Sequence, residues 1–476
     1  MDRQAVFQQI QEHVGNAGTV TETLAQQAHL VDERRLYQGA AALIVRPNSV
    51  EQVAAIMALC YQHRIGVVPQ GGNTGYCGGA TPFDANNEIL LCLDRLNQVR
   101  EVDAMSFTMT VDAGLVLSKA QAVAAEHGLL FPLSMGSEGS CQIGGNLSTN
   151  AGGLAVLRYG TARELALGLE VVLPDGRVLS ELKGLRKDNT GYPLTQLFMG
   201  AEGTLGVITA AVLKLFPAAA ATETAWLAVA DIEAACRLLG VARQASGDAL
   251  SSFEYISGAS AALVLDNVAG TRAPLDESYE HYVLLEFTSP DSGGGLREGM
   301  ERVLEVGMER GWVLDGVLAE SGPQRDALWR IRESIPEAEK HSGGAIKHDV
   351  SVAIGRIPEF TARLAAKLQT IAGYRASVYG HIGDGNLHYN LLATADQDAE
   401  VFKQGAGQRL SHAVHDLAVT MGGSFSAEHG VGILKAPDLA EYTSPVALQM
   451  MKTVKQALDP HGIMNPGKII SRAHRP

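Results

Sequence analysis

The stretch Pro69-Gln70-Gly71-Gly72-Asn73-Thr74-Gly75-Tyr76-Cys77-Gly78-Gly79 decides how this chain is read. Ahead of it, Ile65 to Pro69 is a short apolar run with strand character, and behind it Glu88 to Leu93 is another. Further upstream, Ser49 and Gln52 form an S-x-x-Q capping box, and Val53, Ile56, Met57 and Cys60 share one helical face. The order is therefore helix, strand, glycine loop, strand. A Rossmann nucleotide site needs strand, loop, helix, so that a pyrophosphate meets a helix N-terminus. That context is missing, so the Rossmann reading is rejected and a nicotinamide enzyme is disfavoured.

Two further glycine clusters follow. One runs from Gly136 to Gly153 as GSEGSCQIGGNLSTNAGG, and the other from Met199 to Gly206 as MGAEGTLG, leading into the strand-like run Val207 to Phe216. Between them, Leu169 to Leu173 and Arg177 to Leu179 flank Pro174-Asp175-Gly176, which has the turn chemistry of a hairpin. Glycine admits positive φ and lets backbone N–H groups approach a ligand; successive N–H groups make an anion nest. A pyrophosphate is the natural guest of loops of this kind placed between strands.

The chain has 476 residues, too many for one ordinary core, so two or three domains are expected. The net charge of −14 lacks the basic footprint that nucleic-acid binding requires, and no nucleic acid is expected as a partner. An anionic substrate must be gathered by a local cluster of Arg and Lys against that background. The five cysteines include no C-x-x-C pair, which reads as free thiols in a reducing compartment. Met1 to Val14 carries Asp2 and Glu12 and has no apolar core, so it does not read as a secretory signal. No window suits a transmembrane helix, which leaves only peripheral membrane contact. With no transit-like segment ahead of the first helix, a bacterial cytoplasmic location is expected.

Residues 1–35 read as one or two short helices. Pro217-Ala218-Ala219-Ala220-Ala221-Thr222 interrupts the pattern and marks a boundary, giving parts 1–217, 218–425 and 426–476. The middle part mixes helices (Arg297 to Arg310, Glu400 to Met421) with strands such as Tyr282 to Phe287, and its loop Ser289 to Gly295 is expected to be flexible. The last part ends in a helix capped by Ser444, opened by Pro445 and running to Leu458.

A second constellation lies late in the chain, in Tyr379-Gly380-His381-Ile382-Gly383-Asp384-Gly385-Asn386-Leu387-His388-Tyr389-Asn390. Gly383 to Asn386 is strong turn sequence and would return His388 towards His381. Ser426-Ala427-Glu428-His429-Gly430 follows some forty residues on. Two histidines and a carboxylate are a common catalytic metal set that leaves positions open for substrate. His429 suits proton transfer near neutral pH, although the residues alone leave it open as a ligand instead. Arg332 and Lys347 are candidate cations for a carboxylate, the first through a planar fork and the second as a point charge.

Taken together, PQGGNTGYCGG, GGNLSTNAGG, GAEGTLGVIT and the late NPGK resemble the vanillyl-alcohol oxidase-like, PCMH-type FAD family over nearly the whole chain. Within it, the resemblance is to D-2-hydroxyglutarate and D-lactate dehydrogenases. It implies an α+β protein: a two-subdomain FAD-binding domain, an α+β substrate (cap) domain and a C-terminal helical segment returning to the FAD domain. By the same resemblance, Gly71, Gly72, Asn73, Thr74 and Gly75 cradle the pyrophosphate, Asn146, Ser148 and Asn150 line the cofactor, and Ile208 lies near the adenine side. Pro69, Gly78, Ser137, Gly144, Gly145, Gly153, Glu202, Gly206 and Asn465 complete the expected cofactor contacts. Some relatives attach flavin through a His in the first glycine loop; Asn73 stands in this one and no His lies within Gln70 to Gly79, so FAD is expected to be non-covalent.

The resemblance further implies a divalent metal, zinc by expectation, on His381, His388 and Glu428, with His429 as base. It places Arg332, Lys347, Asn390 and His381 at the substrate, a small dicarboxylate or other 2-hydroxy acid. One departure matters: such relatives carry a hydroxyl residue four positions after the Arg, where this chain has Pro336, so that bond is either missing or supplied by Ser334. D-Lactate, D-malate and glycolate therefore compete with D-2-hydroxyglutarate as substrate. Electrons would pass to an electron-transfer flavoprotein or a quinone-linked carrier, and a homodimer is expected from relatives. A flavin-binding electron-transfer subunit without substrate chemistry is the reading from a different class.

Overall fold

The computed structural model describes residues 3–293 and 295–470. It forms two compact units, one from Met1–Gly152, Gly160–Ala218 and Glu428–Pro476, the other from Gly153–Tyr159 and Ala219–Ala427. Gly153–Tyr159, read from sequence as part of the first domain, belongs to the second unit.

The first unit contains two subdomains. In one, a three-stranded parallel sheet runs in the order Leu43–Val45, Glu88–Cys92, Gly66–Gln70. Helix Val50–His63 crosses between the first and last of these strands, burying Val53, Ile56, Met57 and Cys60. Ser49 caps it by accepting from Gln52 N, while Gln52 Oε1 reaches back to Asn48 N rather than to Ser49. Arg64, in the left-handed region at φ 54°, ends the helix. The first glycine loop then joins two parallel strands without an intervening helix, as the sequence order requires. The other subdomain holds a five-stranded antiparallel sheet in the order Val99–Asp103, Thr108–Asp112, Val207–Lys214, Ala166–Val172, Val178–Glu181. Its last two strands in chain order before Val207 form the hairpin closed at Pro174-Asp175-Gly176.

One expectation is corrected here. The second glycine cluster is not simply a loop, because Ile143–Thr149 is a helix ended by Asn150 at φ 51°. Paired glycines disfavour a helix, but a Cβ on Gly144 would lie 2.7 Å from Ala113 Cβ. Close packing on that neighbour therefore overrides propensity. The C-terminal segment joins the same unit: helix Pro445–Leu458 is capped by Ser444, and beyond it Val67 N donates to Ile463 O while Asn465 N donates to Val67 O.

The second unit is built on a seven-stranded antiparallel sheet. Its order is Val313–Leu318, Ala221–Val229, His281–Ser289, Leu250–Ser257, Arg375–Gly380, Asn386–Leu392, Asp349–Ser351. Strand alternation divides the apolar side chains between two cores. Leu227, Phe253, Leu387, Tyr389 and Leu391 pack with helices Ile232–Ser246, Leu296–Glu309, Ile357–Gln369 and Ala399–Thr420 on one face. Trp226, Ile256, Leu284 and Tyr379 pack with Gly258–Asn267, Gly322–Glu333 and Ile335–His341 on the other. The same period of two assigns Glu254, His388 and Asn390 to the second face, opposite in sense to their apolar chain neighbours. Gly294, within the loop expected to be flexible, lies outside the described residues.

Candidate functional site

On that second face, polar residues from four strands and two helices converge. Strands Arg375–Gly380 and Asn386–Leu392 pair in antiparallel fashion with Tyr379 opposite His388, and their rings lie 4.9 Å apart. The turn between the strands brings His381 and His388 together, with ring centroids 5.8 Å apart. Asp349 lies opposite His388 on the neighbouring strand, its Oδ1 3.9 Å from His388 Nδ1 and bonded to Asn386 Nδ2 at 2.8 Å.

The sequence-predicted cations are both present, and each is already joined to a buried carboxylate that sequence reasoning missed. Arg332 directs Nε and Nη2 to Glu254 Oε2 at 2.9 and 2.8 Å. Its guanidinium also lies over the Tyr379 ring at 4.7 Å. The other oxygen of Glu254 faces His381 Nδ1 at 2.8 Å. Burial of Glu254 opposes ionisation, but His381 and Arg332 outweigh it and hold the carboxyl below its ordinary range. Lys347 Nζ stands 3.3 Å from Glu339 Oε2, and Glu339 is fully buried. Asn390 is committed within the protein: Nδ2 donates to Glu339 Oε1 at 2.8 Å and Oδ1 accepts from His348 N at 3.0 Å. It thereby supports the Lys347 pair. Ser334 sits half-buried at the junction of the two helices, and Pro336 opens the second.

In the first unit, the glycine clusters and the C-terminal segment interlock. At Gly72 a Cβ would fall 2.1 Å from Ser140 O, and Asn73 holds φ 54° with its Nδ2 on Val31 O at 2.8 Å. Gly78, also at positive φ, packs on the Tyr37 ring, and Gly203 packs on Pro69. Gly206 packs on Val171, and Ile208 is buried in its strand. Asn150 Oδ1 accepts from Arg163 N at 3.0 Å, and Ser148 O accepts from Glu202 N. Asn465 Nδ2 donates to Gly79 O and Glu202 O, both at 2.8 Å.

Glu202, expected at the cofactor, also braces the C-terminal segment. Its two oxygens accept from Val431 N and Gly432 N at 2.7 and 2.8 Å, clasping the turn that follows His429. Burial pushes its carboxyl up, against the pull of those two N–H groups and Lys435. The His429 ring stands edge-on to Tyr76 of the first glycine loop, 4.8 Å between centroids.

The cofactor residues fit a nucleotide-bearing guest. Nothing among the described atoms lies within 4 Å of a Cβ built on Gly75 or Gly145. Gln142 Oε1 and Asn146 Oδ1 are buried acceptors with no hydrogen-bond partner among the described residues. Gln142 was not foreseen; it precedes the helix Ile143–Thr149, and its amide faces Gly71. A histidine from elsewhere does adjoin the first loop, since His29 Nδ1 lies 2.8 Å from Gln70 Oε1.

Comparison with known proteins identifies two domains. Residues 41–180 match the FAD binding domain model and residues 218–469 match the model of FAD linked oxidases, C-terminal domain. The chain is 38% identical over 435 residues to a mitochondrial D-2-hydroxyglutarate dehydrogenase of Arabidopsis thaliana, covering 91% of this chain and 76% of that protein. It is 40% identical over 441 residues to the mitochondrial D-2-hydroxyglutarate dehydrogenase of Bos taurus, covering 92% and 79%. The fold is similar to that of p-cresol methylhydroxylase with substrate bound, at a TM-score of 0.75 and 16% identity over 98% of this chain and 97% of the other. Both sequence relatives are named mitochondrial, which overturns the expectation of a bacterial cytoplasmic location with peripheral membrane contact. Among the described residues no helix is long and apolar enough to cross a membrane. With its FAD-binding domain of PCMH type and its oxidase C-terminal domain, the chain belongs to the FAD-linked oxidase family, as an FAD-dependent oxidoreductase acting on CH–OH donors.

Proposed function

We propose that this protein oxidises D-2-hydroxyglutarate to 2-oxoglutarate. The observation that carries this reading is the pair of cations on one face of the second unit's sheet, Arg332 and Lys347, each backed by its own buried carboxylate beside the histidine pair. A substrate with two carboxylates has a use for two separately supported cations; a monocarboxylate needs one. The names of the relatives from Arabidopsis thaliana and Bos taurus support the same substrate. D-Lactate is the second reading, favoured by Pro336 at the position where a hydroxyl contact is expected.

Bound FAD, held without a covalent bond by the glycine clusters, would supply the hydride acceptor. A divalent ion, zinc by proposal, would be held by His381, His388 and Glu428 and would supply polarisation of the hydroxyl oxygen. The choice of His381 as ligand has a physical support: with Nδ1 donating to Glu254, its Nε2 lone pair is the one presented to a metal. Arg332 and Lys347 orient the substrate by its carboxylates. His429 takes the hydroxyl proton on a ring nitrogen, its ring position set by Tyr76 and by the turn that Glu202 clasps. The electrons leave to a separate acceptor, an electron-transfer flavoprotein or a quinone-linked carrier.

The test is anaerobic mixing of the flavin-loaded protein with D-2-hydroxyglutarate and, separately, with D-lactate, following loss of the flavin's visible absorbance. Rapid bleaching by D-2-hydroxyglutarate at low concentration, and by D-lactate only at far higher concentration, is the expected result. The reverse preference would discard the two-cation argument and install the second reading.

A further inference from the structure

We infer that Glu254 is a positioning residue that couples metal affinity to substrate recognition; this rests on the proposed roles of His381 and Arg332. Glu254 is only 1% exposed and lies mid-strand in Leu250–Ser257, on the sheet face shared with Tyr379 and His388. One oxygen is engaged with His381 Nδ1 and the other with two nitrogens of Arg332. A single carboxylate thus fixes two groups with different tasks. Towards His381 it selects the tautomer with hydrogen on Nδ1 and makes the other nitrogen a better donor to a cation. Towards Arg332 it cancels most of a buried positive charge and locks the guanidinium plane, together with the Tyr379 ring beneath it.

The two engagements draw on the same negative charge. What Arg332 takes from Glu254 is withheld from His381, so the two sites are linked through one carboxylate. Linkage of this kind is reciprocal: with Glu254 intact, a change at Arg332 that weakens its contact frees charge for His381 and tightens the ion, and binding of the ion weakens the Arg332 contact by the same factor. A carboxylate is needed for both. In Glu254→Gln the amide oxygen can accept from His381 or from Arg332, and the NH2 group then opposes a donor on the other side.

The experiment uses zinc and a competing chelator on the full-length, flavin-loaded protein, reading zinc retained by elemental analysis and, independently, KM for D-2-hydroxyglutarate. Glu254→Gln is expected to weaken zinc affinity about 10- to 100-fold, the usual effect of removing such an outer partner, and to raise KM. Arg332→Met removes the competitor for the charge, so it is expected to hold zinc several-fold more tightly than the parent while KM rises. Opposite signs for zinc in the two variants, with the melting temperature recorded for each, are the signature that mere loosening of the fold cannot give. Loss of zinc affinity in both, or no change in either, overturns the coupling. Arg332→Met reports on the coupling even if Glu254→Gln does not fold. A parent protein that binds no zinc refutes the metal reading itself and the coupling with it, whereas tight zinc in the parent with unchanged affinity in both variants refutes the coupling alone.

Discussion

Removing Lys347 should damage the protein twice, and the two effects can be separated. Glu339 is fully buried, and its oxygens face Lys347 Nζ at 3.3 Å and Asn390 Nδ2 at 2.8 Å. Lys347→Met would leave a carboxylate at 0% exposure with only the neutral amide as partner. Breaking a buried pair from one side costs about 3–5 kcal/mol. The Lys347 side chain is 21% exposed and its contact is long, so the cost falls to the lower end of that range or just below it, about 2–3 kcal/mol. For a unit of this size that is a fall in melting temperature of about 4–12 °C. Lys347→Met/Glu339→Gln removes the stranded charge and should recover most of the loss, because Gln can still accept from Asn390. Recognition should not recover: KM for D-2-hydroxyglutarate should stay raised in both variants, by about tenfold or more, the value of one charge-assisted hydrogen bond. Thermal denaturation and steady-state kinetics on the three proteins decide the matter. A double variant as unstable as the single one would refute the stranded-charge argument, and a KM restored along with stability would refute the assignment of Lys347 to the substrate.

Three other outcomes are expected. Gly72→Ala places a Cβ 2.1 Å from Ser140 O, so the protein should be recovered with little flavin, measured by absorbance against protein content. His429→Asn should retain yellow flavin yet bleach at least about 100-fold more slowly with substrate under anaerobic conditions, the usual worth of a general base; unchanged bleaching would remove the base assignment. Acid precipitation should release the flavin to the supernatant, whereas flavin in the pellet would show a covalent bond and turn attention to His29 beside Gln70.

The parts of this molecule legible in its sequence were those with a local signature. The helix from Val50 was written in Ser49, Gln52 and a run of apolar residues on one face, and the absence of a helix after Gly79 could be read from the apolar run at Glu88. The turn at Gly383–Asn386 announced that His381 and His388 would meet. What was not legible depended on partners far apart in the chain. Glu254 sits in LSSFEYIS, where an alternating strand gives no reason to single out one carboxylate, and its partners lie 78 and 127 residues away. Glu339 is inside a short helix whose other acidic residue, Glu337, is exposed. The paired glycines at Gly144 misled in the opposite way, since local propensity spoke for a loop while contact with Ala113 demanded a small residue in a helix.

Those unforeseen carboxylates change the electrostatic problem posed by the sequence. An acidic chain at net −14 was expected to meet a dianion with Arg332 and Lys347. Each cation is instead balanced by one buried anion, Glu254 or Glu339, so the two pairs together carry close to no net charge before substrate arrives. They can orient carboxylates through directed N–H groups, but they cannot by themselves neutralise two added negative charges in a buried site, where unpaired charge is costly. A neutral but preorganised clamp therefore calls for a further positive group. The proposed divalent ion on His381, His388 and Glu428, less the charge of its Glu428 ligand, would add one net positive unit, which attracts a 2-hydroxy dicarboxylate more strongly than a monocarboxylate. On this argument, stripping the metal should weaken binding of D-2-hydroxyglutarate more than binding of D-lactate, and isothermal titration of both acids with metal-loaded and chelator-treated protein measures the difference. Equal losses for the two acids would refute charge balance as the reason for the ion.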